Sequence, residues 1–479
     1  MPRRLALIVV GGLLLPSLLT LAQQICSCIV CTCQQCHGQC ARNKRALPPP
    51  VCANKVQSSM LCVVPQVYGT NGLILPNPNH AAHFAESEAG FQVPLNVSVA
   101  TELSLRSVAS PASGVLFAFD PDLGIVTRST QTYGPILTER AETIGRHRGS
   151  VSGTYQYLNF SSLDGTDLKH LAVVYSHVLF PINGSIPDFE HEFITTQNRI
   201  DLKAHQIVLN GTFGLTNRID LSVDVPILDV RLGITSNALI NRVPPQPVPP
   251  SNPFFSTTVD GFYHFFNIND PAGSLSQVFS GSKSAAGLGD VVFRVKVTVL
   301  VHERSHVALG LNVRTPTGDA ENFLGAGAIG IKPFIAASYA GRRISPHVNL
   351  GYEYNGQSVL AGDVATGSVR KLPNQFFYSG GVDIAVLRRL TVASDLLGAR
   401  LSSSDRIRRS SFIDVDGVTH PDISQTTLFR DSVNLVDISV GAKFRAWRNL
   451  LLTGNVAFKA NDPGLRATAE PLASISYSF

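Results

Sequence analysis

A period of two constrains this chain more than any other feature. From Asp290 to Val301, Val291, Phe293, Val295, Val297, Val299 and Val301 share one face, while Arg294, Lys296 and Thr298 share the other. That spacing places the two sets on opposite faces of a strand. Leu435 to Ala446 repeats it, with Val436, Ile438, Val440, Ala442 and Phe444 against Asp437, Ser439, Lys443 and Arg445. So do Ile219 to Ile227 and Leu450 to Lys459, and Val348, Leu350, Tyr352 and Tyr354 oppose His347, Asn349 and Glu353.

Alternation alone also describes a soluble sandwich, so the links between strands matter. The strands pair through tight turns near Thr216-Asn217-Arg218, His302-Glu303-Arg304-Ser305, Gly341-Arg342-Arg343, Arg388-Arg389 and Trp447-Arg448-Asn449. Between pairs the links are long, around 237–288, 315–327, 356–374 and 403–432. Alternating short and long links are the pattern of an up-and-down barrel with short turns on the periplasmic side. Composition points the same way. Hydrophobic residues make up 44% of the 479 and charged ones only 15%, against about a quarter in an ordinary soluble chain. Past the N-terminus no run approaches the roughly 18 apolar residues of a spanning helix. An apolar chain without such helices crosses lipid as a closed barrel, because lipid offers open backbone groups no partner. The expected fold is therefore all-β, a transmembrane antiparallel up-and-down barrel. At roughly 9–11 residues per crossing, about 12 to 14 strands fit.

The chain divides into four stretches. Residues 1–22 read as a signal peptide, with Arg3 and Arg4 before the apolar run Leu5 to Leu15 and a cut after Ala22. Residues 23–62 form a Cys-rich segment that holds all 8 cysteines. Residues 63–98, with Pro65, Pro76, Pro78 and Pro94 and no sustained periodicity, read as a linker too short for a plug domain, and 99–479 as the barrel. The last strand alternates Pro471, Ala473, Ile475, Tyr477 and Phe479 with Leu472, Ser474, Ser476 and Ser478. A terminal aromatic behind such a strand resembles the signal read by the outer-membrane barrel-assembly machinery, so that machinery and outer-membrane lipid are the expected partners. A net charge of +5, spread along the chain, gives no footprint for nucleic acid.

Within the Cys-rich segment, Cys33-Gln34-Gln35-Cys36-His37 is a C-x-x-C-H, the attachment pattern of a c-type haem, and Met60 would supply a sixth ligand. Cysteines this dense repeat C-x-x-C by chance, and an exported segment equally suits disulfides or a zinc or iron–sulfur site. No cofactor is otherwise expected. The inward faces carry Arg294, Lys296, Arg314, His347, Glu353, Asp383, Asp437, Lys443, Arg445 and Lys459. Such residues are costly in lipid and cheap in a wet lumen. They either brace the lumen wall or contribute to a solute site.

Gly287-Leu288-Gly289-Asp290 ahead of a strand, Leu311 to Gly318 ending in Pro-Thr-Gly, and Gly325-Ala326-Gly327 resemble the outer-membrane family named for the MetA pathway of phenol degradation. Gly134 to Ala141 (Gly-Pro-Ile-Leu-Thr-Glu-Arg-Ala) looks like the start of related barrels. The resemblance covers about the C-terminal two-thirds, and the Cys-rich segment departs from it. It implies an outer-membrane channel or transporter for small, hydrophobic or aromatic solutes, and supplies no catalytic residues. No enzyme motif stands out. The alternatives are an electron conduit with a haem on Cys33 and Cys36, and a structural surface barrel whose long loops bind partners.

Overall fold

The computed structural model describes residues 52, 58–84, 91–105, 117–120, 125–128, 132–177, 191–243, 247–251, 255–364 and 367–479. Twelve antiparallel strands close into a barrel. They are β1 (Gly149–Leu163), β2 (Phe193–Gly214), β3 (Ile219–Asn241) and β4 (Ser276–Leu288, resumed at Val292–His302). Next come β5 (Ser305–Arg314), β6 (Gly330–Tyr339), β7 (Ile344–Asn355) and β8 (Gln375–Leu387). The last are β9 (Leu390–Ile413), β10 (Thr419–Trp447), β11 (Leu450–Lys459) and β12 (Ala469–Ser478). Each pairs with its sequence neighbours, and β12 returns to β1 with Tyr477 opposite Val151 and Leu472 opposite Gln156. No sheet edge is left at that seam, which is what lets a sheet sit in lipid. The seam ends on Phe479, whose amide donates to Gly149 O at 2.9 Å while the Gly149 amide donates back at 2.9 Å. A Cβ on Gly149 would run into the Phe479 ring, so glycine makes room for the terminal aromatic.

The core is inside out. Val295, Leu309, Ile335, Leu350, Ile438, Leu452 and Ile475 are exposed on the outer face. Lys296, Asp383, Asp395, Ser439 and Lys443 are buried on the inner one. This is the alternation read from the sequence, with the apolar set turned toward lipid. All short links, at 215–218, 303–304, 340–343, 388–389 and 448–449, gather at one end with Gly149 and Phe479. Among the described residues no helix is long and apolar enough to cross a membrane.

Two expected loops are strand instead. Residues 403–432 belong to the β9–β10 hairpin, which stays paired from Asp405 opposite Arg430 to Ile413 opposite Thr419. Likewise β3 and β4 pair from Ile227 opposite Leu288 to Leu239 opposite Ser276, leaving only 242–275 between them. A crossing takes about 9–11 residues, so β2, β3, β9 and β10 rise well beyond the lipid. There the outer face can be polar and the apolar set can turn inward, as Leu202, Val230, Leu232 and Ile234 do.

The largest difference lies before the barrel. The first barrel strand starts at Gly149, not at residue 99. Residues 63–98 do not run as a linker either: Val63, Leu73, Phe84, Phe91 and Leu95 belong to the main buried cluster, together with inward residues of β2 and β3 such as Leu202, Val230 and Leu232. Helix α1 (Gln92–Ala100) is buried on nearly every side. A helix enclosed all round needs no amphipathic period, which is why its sequence carries none.

A strapped lumen as the candidate functional site

Residues 132–148 run across the lumen at the short-turn end, and the barrel wall grips them at every step. Tyr133 hydroxyl donates to Arg388 O at 2.9 Å, and Lys443 Nζ donates to the carbonyls of Tyr133 (3.4 Å) and Pro135. Thr138 Oγ1 donates to Asp395 Oδ1 at 3.1 Å. Glu139 takes Arg294 Nη1 on one carboxylate oxygen at 2.9 Å and Lys296 Nζ on the other at 3.0 Å. Lys296 Nζ also donates to the carbonyls of Arg140 and Glu142. Arg140 Nη2 pairs with Asp383 Oδ2 at 2.9 Å, both side chains being almost fully enclosed. His347 bridges Asp383 (3.4 Å) and Asp395 (2.7 Å). The far end is held by Asp220, which accepts from the Ile144 amide. Strap and wall thus satisfy each other's charges in a setting where an unpaired one would be costly.

This strap contains Gly134 to Ala141, the octapeptide expected at a barrel start. It is no strand: its alternating wall contacts come from backbone carbonyls and from Glu139 and Arg140, which sequence reading did not single out. Their signal was there as two adjacent opposite charges in an otherwise apolar stretch. Of the inward residues read from the sequence, Arg294, Lys296, Asp383 and Lys443 meet this strap, His347 stands behind it on Asp383 and Asp395, and Arg445 lies 5.9 Å from the Tyr133 ring. Arg314, Glu353, Asp437 and Lys459 pair elsewhere. Asp437 meets Arg466, and Lys459 pairs with the loop residue Asp462 at 2.7 Å.

Arg314 and Glu353 serve a second assembly. Arg314 sits 3.4 Å from Glu353 Oε1 and donates through Nη1 to Asp290 Oδ2 at 3.0 Å. Asp290 also accepts the amides of Gly318 (3.0 Å) and Ala326 (2.8 Å). Thr317 Oγ1 donates to Gly289 O at 2.7 Å. A Cβ on Gly325 would collide with the Asp290 carboxylate. The three glycine motifs noted in the sequence are therefore one device that folds the β5–β6 loop back over the break in β4.

Above the strap lies a cavity of about 130 Å³, partly continuous with solvent. Leu137, Thr138 and Glu139 form its floor and Glu102, just past α1, reaches it from the other side. Phe334, Phe377 and Leu435 supply apolar wall; Arg294, Lys332 and Glu470 supply charge. Lys332 Nζ lies 4.2 Å from the Phe377 ring centroid, within cation–π range. The strap and the residues just past α1 thus border a mixed apolar and charged chamber.

Cys33, Cys36 and His37 lie outside the described residues. Met60 is described and fully buried, with its amide donating to Asn322 Oδ1 at 3.1 Å. Cys52 and Cys62 form a disulfide, so two of the eight cysteines are cross-linked to each other.

A lipid-embedded barrel with an internally strapped lumen and a central chamber is the class of protein that fold and site define. Residues 210–392, from late β2 to the start of β9, match the model of the family described as "Putative MetA-pathway of phenol degradation". The resemblance read from the glycine motifs therefore holds for that segment, which is narrower than the C-terminal two-thirds. Among solved structures, the chain is similar to an outer membrane channel from Pseudomonas putida F1, at 12% identity and a TM-score of 0.43, over 71% of this chain and 99% of that one. It is also similar to a Pseudomonas aeruginosa FadL homologue (12% identity, TM-score 0.31, 78% and 98% covered). A third is the Ralstonia pickettii toluene transporter TbuX (10% identity, TM-score 0.24, 70% and 89% covered). No curated protein matches the sequence.

Proposed function

We propose that this chain is an outer-membrane channel for small solutes with an apolar or aromatic part, held shut at rest by the strap. The observation that carries this reading is the chamber between Glu102 and Glu139. Apolar and aromatic walls with convergent polar and charged groups are what a pocket needs to hold and orient a small ligand, and the strap forms its floor. Passage requires the strap to leave the wall. Buried ion pairs gain little over hydration, so a lumen that takes in water can replace those contacts. Residues 1–22 would export the chain and the strand ending at Phe479 would direct its assembly. The reading assigns no chemistry to the lumen.

Planar-bilayer conductance of the purified protein, with uptake of a phenol-class solute into liposomes, tests this. Small or rare openings in the native chain, and frequent ones after Glu139→Ala, are expected. Silence in both, with no solute uptake, would sink the proposal.

A further inference from the structure

The long-loop end contains a cluster that the channel reading leaves unused. His80 and His83 come from the segment inside the barrel, His177 follows the short strand Leu171–Ser176, and His264 sits in the 242–275 link. One ring nitrogen of each lies within 4.8 Å of those of the others. His80 Nδ1 and His83 Nδ1 are 3.1 Å apart, and the His83–His177 and His177–His264 ring centroids are 4.3 and 5.1 Å apart. His264 is fully buried and its Nδ1 lies 2.6 Å from Glu192 Oε2. Its Nε2 has no hydrogen-bond partner among the described residues. Phe84 and Tyr263 shield the group from water.

We propose that His80, His83, His177 and His264 bind one divalent cation of the zinc class, fastening the inserted segment to the long-loop mouth. Four imidazoles are a donor set for zinc, copper or nickel rather than calcium or magnesium. Four protein ligands leave no open position, which marks a structural site. Metal–nitrogen bonds of about 2.0–2.1 Å require the rings to close in slightly from their present spacing. Glu192 on His264 Nδ1 is the carboxylate–histidine arrangement that fixes which nitrogen faces a metal. Imidazole ligates a metal in its neutral form.

The test uses the full chain without a polyhistidine tag, stripped with chelator, reloaded with zinc and dialysed. One zinc per chain is expected by elemental analysis, and none above background in His83→Gln/His177→Gln. Reloading with cobalt should give a visible spectrum without the near-ultraviolet thiolate band that the N-terminal cysteines would produce. Zinc retained equally by a folded double variant, or none held by the native chain, overturns the site, as does a thiolate band. Folding is read from heat-modifiable migration of the barrel. If the double variant does not fold, Glu192→Gln decides: affinity about 10–100-fold weaker supports the site, and unchanged affinity overturns it.

Discussion

Among the described residues, two segments run inside this barrel, and they are held by opposite means. The strap at 132–148 is gripped by charges and carbonyls: Arg140 on Asp383, Glu139 on Arg294 and Lys296, Lys443 on Tyr133 and Pro135. The segment at 58–105 is gripped by packing: Phe84, Phe91, Leu95 and Val97 are buried against inward apolar residues of the tall strands, with a disulfide at its start. The difference follows from height. At the level of the lipid the wall spends its apolar residues outward, so its inner face offers mainly polar partners. Above the lipid the wall can turn leucine and valine inward, and a hydrophobic core becomes available. A polar grip can be exchanged for water nearly without loss, whereas exposing a core cannot. The strap is therefore the segment suited to open, and the upper one to stay.

The sharpest way to break this comparison is Arg140→Ala. It leaves Asp383 facing His347 without its guanidinium, and removing one partner of a buried pair costs about 3–5 kcal/mol. Amide exchange of 132–148 should rise by roughly a hundredfold or more, while exchange of α1 stays unchanged. If α1 loosens equally, the two segments are one unit and the distinction fails.

Leu95→Ala is the mirror experiment. Leu95 is fully buried, and such truncations cost about 2.7–5 kcal/mol depending on how far the site collapses. Exchange should rise in 91–105 with the strap protected and conductance events no more frequent. Removing the disulfide by Cys52→Ser with Cys62→Ser comes next. The bridge spans a separation of 10 residues, and short loops of this kind contribute about 2–3 kcal/mol. Proteolysis near residue 60 should speed up, again without an effect on the strap.

How much of this could be read from the chain follows the same division. Wherever one face of a strand meets lipid, the alternation is written in the sequence: β4, β10 and β11 and the terminal strand needed only a period of two. The strand extensions at 403–432 were hidden because few of their apolar residues, such as Ile407 and Phe412, are buried and no sustained alternation marks the rest. Helix α1 was hidden because protein lies on all sides. Arg294, Lys296, Asp383 and Lys443 were legible as inward charges, but their partners Glu139 and Arg140 were not. Those two sit in a segment with no repeating structure, so no period marks the direction they face. The histidines at 80, 83, 177 and 264 are far apart in sequence and meet only after the barrel has closed.

The smallest expected effect sharpens the comparison from the outside. At the tip of the β9–β10 hairpin, Asp414 accepts from His420 Nε2 at 2.7 Å and from the amides of Asp416 and Val418. This is the strap's chemistry at a partly exposed site. The hydrogen bond from His420, then those from the backbone, hold the Asp414 carboxyl below its usual range. A depressed carboxyl contributes stability above its unfolded value, and the contribution is lost as pH falls through the folded one. The stability that Asp414 adds to the tip should therefore be lost on acidification below about pH 4. Asp414→Asn should abolish that acid step in amide exchange of 414–420 and leave conductance untouched, because an exposed polar contact is worth little. If Asp414→Asn instead frees the strap or alters conductance, the hairpin tip communicates with the lumen, and the strap's grip would no longer be a local property of its buried charges.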